Sequence, residues 1–280
     1  MQQTIAKLVE KIKTKHFKNL DEKVIKDKIQ EIISKNKKLA KAISEGLNEK
    51  SAEFKLIVKT VKQEMHYSYG AFQKETSSRD KLLEELKNSK DKEDILEIHK
   101  KLLATHSSTK ERLEIYNDIY GELFLTTGVP ESILDLGCGL NPLSLPWMYL
   151  KKIKYIASEF NEDDTEFIKK YFAIIEKQNK GYDLEATTIN LKKDIDRLKF
   201  IKVDVVFAWK LFDLLKTKEV EAVVNAISAK YLIASFSTKT LSRKDMGKPQ
   251  RTWFEMMLNR LHLEFEIKEF ENEIFYIISY

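Results

Sequence analysis

The chain has 280 residues, of which 42% are hydrophobic and 33% charged, with a formal net charge of +5. This apolar content excludes a disordered chain and suffices for one large domain, alone or with a smaller appendage. The single cysteine, Cys138, excludes a disulfide framework and a multi-cysteine zinc site. With only 8 glycines and 4 prolines, the chain is also unlike turn-rich all-β proteins.

The positive charge is concentrated at the start of the chain. Residues 1–62 contain 16 lysines and 8 acidic residues, which gives +8 and leaves −3 for the remainder. Such a segment either binds a polyanion or consists of solvated helix faces. The first fifteen residues contain no apolar core of a signal peptide, and no apolar run is long enough to span a membrane. We therefore expect a soluble, cytoplasmic protein with no membrane partner.

The first part of the chain, residues 1–104, is predicted to be entirely helical. It contains no proline, and apolar side chains recur at spacings of three and four, as at Ile5, Leu8 and Ile12. Candidate helix starts and stops are Ser51, Ser78, Gly46 and Gly70. We expect five or six helices in this segment.

After about residue 127, short β-rich runs alternate with helical ones. Alternation of this kind predicts an open parallel sheet with helices on both faces. The last two runs are joined by a short turn and predict an antiparallel hairpin at the end of the chain. The predicted strands are 132–136, 155–158, 185–190, 203–207, 231–236, 261–269 and 274–279, with a helix at 164–176.

A glycine-rich turn follows the first predicted strand. Asp135 lies near the end of that strand, and Gly137, Cys138 and Gly139 form a Gly-x-Gly turn before Asn141. Such a turn lets backbone approach a ligand closely, and the helix start beyond it offers unpaired N–H groups. Pro142 replaces the third glycine of a dinucleotide fingerprint, and no Gly-Lys-Ser/Thr follows as in a P-loop.

An acidic residue, Glu159, ends the second strand 24 residues beyond Asp135. A carboxylate at this point can bind both hydroxyls of a ribose, whereas an isolated one would simply be a surface group. Together with the glycine turn one strand earlier, Glu159 predicts a nucleoside ligand.

These segments resemble the S-adenosyl-L-methionine (SAM)-dependent ribosomal RNA methyltransferases of the aminoglycoside-resistance type, which methylate guanine N7 in the decoding region of 16S rRNA. The resemblance covers roughly residues 100–280. It rests on ILDLGCGLNPL at 133–143 with Pro146 and Trp147 following, HSSTKERL at 106–113, DVVFAWKL at 204–211, SFSTKTL at 235–241 with Arg243 following, and WFE at 253–255. It implies a Rossmann-like class I methyltransferase domain at 105–280, with a mostly parallel seven-stranded sheet and a terminal hairpin, after an all-helical domain at 1–104.

The resemblance also implies cofactor-binding roles for individual residues. Arg112 would reach the methionine carboxylate of SAM, a contact that guanidinium geometry suits, although it could instead be a surface arginine. Asp135 would lie near the methionyl amino group. Asn190 stands where the family usually has an acidic residue, and Glu159 replaces the more usual Asp. The expected cofactor set is Arg112, Asp135, Gly137, Cys138, Gly139, Asn141, Glu159, Asn190, Leu191 and Phe207.

Two other kinds of RNA methylation are disfavoured. Methylation at pyrimidine C5 needs a cysteine nucleophile, and Cys138 lies inside the cofactor loop. Methyltransferase families that modify an exocyclic amine usually carry an Asn/Asp-Pro-Pro-aromatic clamp after the fourth strand. Residues 207–210 contain no proline, so an exocyclic target is not expected. Guanine N7 needs no general base, so we nominate no acid or base and expect catalysis by alignment. Trp209 either stacks on the target guanine or is a core aromatic, and Lys210 is the second candidate for the base pocket.

Two smaller features complete the predicted site. Ser108 and Glu111 have the spacing of a capping box at a helix start. A basic loop after the fifth strand would form a rim for RNA. The candidate RNA-binding residues are Lys239, Arg243, Lys244, Lys248 and Arg251 on that loop, with Lys11, Lys15, Lys37 and Lys38 in the first segment.

The expected partner is 16S rRNA within the 30S subunit, bound by a monomer without a metal ion. Two alternatives stay open: a methyltransferase of another RNA such as tRNA, and a non-catalytic RNA-binding or ribosome-assembly protein of the same fold.

Overall fold

The computed structural model describes residues 2–13, 17, 22–65, 78–239, 247 and 249–280. The chain divides into two compact units, one of residues 1–73 with 161–163 and the other of residues 74–160 with 164–280. This division lies between residues 73 and 74, whereas the sequence predicts a domain boundary between 104 and 105.

Helices form the first unit because their apolar residues fall on one side. They are α1 (Gln2–Ile12), α2 (Glu22–Ser34), α3 (Lys37–Ser44) and α4 (Ala52–Met65). The side chains of Leu8, Ile12, Ile25 and Ile29 are fully buried among them. Candidate caps at Ser51 and Gly46 are confirmed, because the Phe54 N–H donates to Ser51 Oγ and Gly46 has a positive φ of 88° just after α3. The candidate stop at Gly70 lies outside the described residues.

Four helices precede the sheet in the second unit: α5 (Arg79–Asn88), α6 (Lys92–Leu103), α7 (Ser107–Arg112) and α8 (Tyr116–Thr127). Ser78 is the N-cap of α5 as predicted, but its side chain makes no capping hydrogen bond. The apolar sides of α5 and α6, including Leu86 and Leu102, belong to the core that covers one face of the sheet. This packing explains why they belong to the second unit rather than the first.

The described part of the second unit contains a seven-stranded sheet in the order β3-β2-β1-β4-β5-β7-β6. Strands β1 to β5 are parallel and β7 is antiparallel to both neighbours, which confirms the predicted sheet and hairpin. The strands are β1 (Ser132–Leu136), β2 (Ile153–Glu159), β3 (Tyr182–Thr188), β4 (Lys202–Trp209), β5 (Ser228–Ser237), β6 (Phe265–Phe270) and β7 (Glu273–Ser279).

Helices α9 (Glu162–Gln178), α10 (Thr217–Ala226) and α11 (Thr252–Arg260) connect the later strands. Buried side chains form one hydrophobic layer on each face of the sheet. The strand order switches sides between β1 and β4, because β2 and β3 lie on one side of β1 and the later strands lie on the other. At such a point a crevice opens at the carboxyl ends of the strands. The predicted ligand turn lies there.

No helix in the described ranges is both long and apolar enough to cross a membrane. Those same ranges contain no group of three or more potential metal-ligating side chains.

Candidate active site

The glycine turn is shaped for close backbone approach. Gly137 and Gly139 have positive φ values of 57° and 51°, which side chains other than glycine rarely adopt. A Cβ at Gly137 would lie 2.7 Å from Leu211 Cδ1, and one at Gly139 would lie 3.4 Å from the His106 ring. Instead of the regular helix that the sequence suggested, a 3-10 helix at Asn141–Met148 follows, with Pro142 and Pro146 in it.

His106 is a residue whose position the sequence did not predict. Its ring underlies Gly139, and burial, with the charges of Arg79, Arg112 and Lys210, lowers its pKa to about 3. The ring is therefore neutral at physiological pH and supports the turn by packing. Burial also raises the pKa of the Cys138 thiol, so Cys138 is not a reactive nucleophile.

Asp135 is a buried carboxylate beneath the turn. It accepts hydrogen bonds from Asn141 Nδ2 at 2.9 Å and from the Tyr155 hydroxyl at 2.6 Å. Burial nevertheless raises its pKa to about 6, against the opposing effect of these donors and of the Arg112 charge. The Asn141 Oδ1 atom is buried and has no hydrogen-bond partner among the described residues. Asp135 and Asn141 thus offer acceptor oxygens for a cation.

Glu159 closes the other side of the turn. Its Oε2 accepts from the Gly139 N–H at 2.9 Å, and its Oε1 accepts from the Phe160 N–H at 2.7 Å. A carboxylate oxygen carries two lone pairs, so one backbone hydrogen bond to each does not by itself prevent contacts with hydroxyl groups. Backbone donors therefore fix the orientation of the group that the sequence predicted for a ribose.

Asn190 and Leu191 follow β3, close to the residue that ends β2. The Ile189 N–H donates to the Glu159 carbonyl at 3.0 Å, which brings the segment after β3 to the end of β2. Asn190 shapes a turn, because its Oδ1 accepts from the Lys192 N–H at 3.0 Å. Leu191 is half-buried against the hydrophobic layer. The predicted adenine-flanking pair thus adjoins the predicted ribose ligand.

Arg112 is a buried residue whose side chain is held by a carboxylate. It is 3% exposed, and its Nε and Nη2 donate to the two carboxylate oxygens of Glu273 at 2.8 and 2.7 Å. Its guanidinium also lies 4.9 Å from the centre of the Trp209 ring. Sequence reasoning missed Glu273, although an acidic residue at the start of an otherwise apolar strand was a usable signal.

Lys210 joins the same cluster. Its Nζ lies 2.8 Å from Glu111 Oε2 and 3.5 Å from Glu273 Oε2. Its φ is 52°, and its backbone N–H donates to the carbonyl and Oγ of Ser235, each at 3.0 Å. The predicted capping box is wrong, since His106 is the N-cap of α7 and Glu111 binds Lys210 instead.

Phe207 and Trp209 are core aromatics. Phe207 is fully buried, and the two rings lie 4.8 Å apart beneath Tyr120 and Phe275. Packing of this kind leaves no ring face of Trp209 for a stacked guanine. The structure favours the core interpretation of Trp209, and the predicted cofactor contact of Phe207 is not supported by its burial.

The predicted RNA rim is only partly described, because Arg243, Lys244 and Lys248 lie outside the described residues. Arg251 donates to both carboxylate oxygens of Asp213, at 3.2 and 3.0 Å, and to the Pro249 carbonyl at 2.7 Å. The Arg251 side chain therefore holds the loop in place, whereas the sequence predicted that it would bind RNA. Lys239 is paired with Glu271 at 3.5 Å.

In the first unit, an open groove of about 850 Å³ is lined by lysines. Phe54 and Val58 contribute apolar surface, and Glu49 is the acidic residue of the lining. Of the lysines predicted to bind RNA, Lys11 lines the groove, whereas Lys37 and Lys38 are exposed elsewhere and Lys15 is outside the described residues. The groove lysines are Lys7, Lys11, Lys50, Lys55 and Lys59.

Residues 38–277 match the model of the family described as ribosomal RNA methyltransferase (FmrO). The chain belongs to this family. It is 26% identical over 231 residues to a Micromonospora rosea protein named 16S rRNA (guanine(1405)-N(7))-methyltransferase, covering 79% of this chain and 81% of that one.

Two solved structures of named 16S rRNA methylases are also similar. ArmA is 30% identical, with a TM-score of 0.54 over 72% of this chain and 97% of that chain. RmtF, solved in complex with S-adenosyl-L-homocysteine, has a TM-score of 0.71 over 100% of this chain and 99% of that chain. At 16% identity, the RmtF likeness bears on the fold.

As a member of this family the protein is an rRNA methyltransferase, and the sequence predicts SAM as its methyl donor. The site fits this cofactor. Asp135 and the unpartnered Asn141 Oδ1 provide acceptors for an ammonium group, and Glu159 provides acceptors for ribose hydroxyls. The positive-φ glycines permit the tight turn, and Leu211 and the His106 ring pack where their side chains would otherwise lie.

Proposed function

We propose that this protein transfers the methyl group of SAM to N7 of a guanine in 16S rRNA, within the decoding region of the 30S subunit. The observation that carries the proposal is the acceptor set of Asp135, Asn141 and Glu159 around one glycine turn, in a chain that belongs to an rRNA methyltransferase family. The Micromonospora relative's name supplies the position and the atom.

When bound, SAM supplies an electrophilic methyl group on its sulfonium. Asp135 and Asn141 would hold the methionyl ammonium, Glu159 would hold the ribose, and Asn190 with Leu191 would border the adenine. The guanine N7 lone pair is unprotonated at neutral pH, so the chain supplies no general base and no metal ion. Its contribution is to align donor and acceptor, which alone can lower a barrier by about 7–11 kcal/mol.

The lysine groove of the first unit gives the RNA a docking surface. Five exposed lysines surround one glutamate there, a charge pattern complementary to a sugar–phosphate backbone. Contacts of this type neutralise phosphates, release counterions and make affinity depend steeply on salt. We propose that RNA binds along this groove while the second unit methylates one base.

Methyl transfer from labelled SAM to 30S subunits, naked 16S rRNA and tRNA, followed by primer-extension mapping, tests this function. We expect label in 30S subunits at one guanine of the decoding region. An isosteric Asp135→Asn chain is the matched control and should transfer little, because the ammonium loses its charged acceptor. Transfer to tRNA alone would favour the other-RNA alternative, and absence of both transfer and SAM binding would favour a non-catalytic protein.

A further inference from the structure

Glu273 is a fully enclosed carboxylate beside the site. It is 1% exposed, and both of its oxygens are engaged by cations or hydroxyls. Arg112 donates to both oxygens, the Ser235 hydroxyl donates to Oε1, and Lys210 Nζ lies 3.5 Å from Oε2. A carboxylate buried this deeply is strongly unfavourable unless its partners are held in place.

Sheet topology explains how Glu273 reaches the site. As the first residue of an antiparallel strand, it pairs in register with Ser237 at the end of β5. The edge where β7 begins is therefore the edge where the parallel strands β1, β4 and β5 end. Arg112 is also close enough to Asp135 for its positive charge to lower the pKa of that carboxyl, against the larger effect of burial.

The charge state of the cluster is fixed at neutral pH. Burial by itself would raise the pKa of Glu273, but the Arg112 and Lys210 charges hold it below the usual range. The pKa of Arg112 is raised, although its burial acts in the opposite direction. The pair is therefore ionised, and the bidentate geometry fixes the plane of the guanidinium.

We propose that Glu273 is a positioning residue: by binding Nε and Nη2 of Arg112, it fixes the guanidinium so that its remaining N–H donors can bind the methionine carboxylate of SAM. This inference rests on the proposed function, because it assumes SAM in the adjacent turn. Glu273 touches neither the cofactor nor the base. The competing role is a purely structural tie between α7 and β7.

A ligand that lacks only the carboxylate separates these two roles. Binding of SAM and of decarboxylated SAM to the full chain is measured by calorimetry for wild type, Glu273→Gln and the control Glu269→Gln. Glu269 is an exposed residue of β6 in the same hairpin. We expect Glu273→Gln to weaken SAM about tenfold, the equivalent of one charge-assisted hydrogen bond, with decarboxylated SAM changed less than twofold. The control should leave both affinities unchanged.

Equal weakening of both ligands, or no weakening of either, would overturn the inference and leave the structural tie. If Glu273→Gln does not fold, the double variant Arg112→Gln with Glu273→Gln removes both charges at once. That chain should lose the wild-type preference for SAM over decarboxylated SAM, and a retained preference would contradict the proposal. Failure of the wild type to bind either ligand would instead contradict the proposed function.

Discussion

The two units of the chain place their charges in different environments. In the first unit most described lysines are exposed, and many of their ion pairs are open to solvent, as between Lys38 and Glu53 at 3.8 Å. In the second unit Arg112 and Glu273 are buried together. Solvent screens the first kind of pair, which contributes about 0–1 kcal/mol, whereas a buried charge depends on its partner.

This difference corresponds to two kinds of ligand. Exposed, loosely paired lysines can exchange their partners for RNA phosphates at little cost, and they need no exact geometry. Buried and hydrogen-bonded charges keep a fixed geometry, which suits a small cofactor whose reacting atom must be aligned. The lysine-rich start of the sequence therefore suits a different ligand from the one that the buried charges of the second unit suit.

Breaking one ion pair in each unit should give the largest difference in the free energy of unfolding. Arg112→Leu leaves Glu273 buried without its main partner and should lower the free energy of unfolding by about 3–5 kcal/mol. Lys38→Leu breaks an exposed pair and should change it by less than about 1 kcal/mol. Urea denaturation followed by circular dichroism measures both, and equal losses would contradict the contrast between the units.

A methyl group at the glycine turn should have the next largest effect. Gly137→Ala costs about 1–2 kcal/mol for the positive φ and also forces Leu211 to move, so SAM affinity should fall. Gly128→Ala, in the same unit, has a φ of 71° but nothing within 4 Å of the new Cβ. That control should lose stability without losing SAM affinity in calorimetry. Equal SAM affinity in the two variants would show that the turn does not contact the cofactor.

The glycine turn and most strands could be predicted from the sequence because their signals are local: apolar runs, Gly-x-Gly and an acidic strand end. Glu273 could not be predicted in its role, because residues 111, 112, 210, 235 and 273 meet only after the sheet has formed. The local sequence pattern also contains no signal for a division between residues 73 and 74. The helices α5 and α6 are amphipathic like those before them, and no local pattern indicates which of the two cores they cover.

The buried charge of Asp135 should make SAM binding depend on pH. Its pKa of about 6 lies above the ordinary aspartate value of 3.8, so the free energy of unfolding falls as pH rises through 6 and the buried carboxyl ionises. The ionised form is nevertheless the one that attracts the methionyl ammonium. Below pH 6 the dissociation constant should therefore rise about tenfold per pH unit, by linkage of binding to deprotonation.

Calorimetry between pH 5 and 8 tests this dependence, with Asp135→Asn as the control that lacks the titrating group. The control should bind SAM weakly and with little change across this range. A wild-type affinity that is constant from pH 5 to 8 would exclude Asp135 as the ammonium ligand.

Removal of groove lysines should have the smallest effect per residue and should act on RNA alone. The triple change Lys50→Gln, Lys55→Gln and Lys59→Gln should reduce the salt dependence of 30S binding by about two to three in the log–log slope. SAM affinity should stay at the wild-type value, because the groove belongs to the other unit. The matched control replaces Lys169, Lys170 and Lys177 of α9, all exposed, and should change neither. If the control variant lowers the salt dependence of 30S binding as much as the groove variant does, RNA is attracted by the overall positive charge and not by the groove.

The identity of the methylated nucleoside tests the proposed chemistry most directly. 30S subunits are incubated with the protein and SAM, their 16S rRNA is digested to nucleosides, and the products are identified by mass spectrometry. A site with alignment but no general base predicts 7-methylguanosine, at up to one per subunit. A methyl group on cytosine C5 or on an exocyclic amine would contradict it.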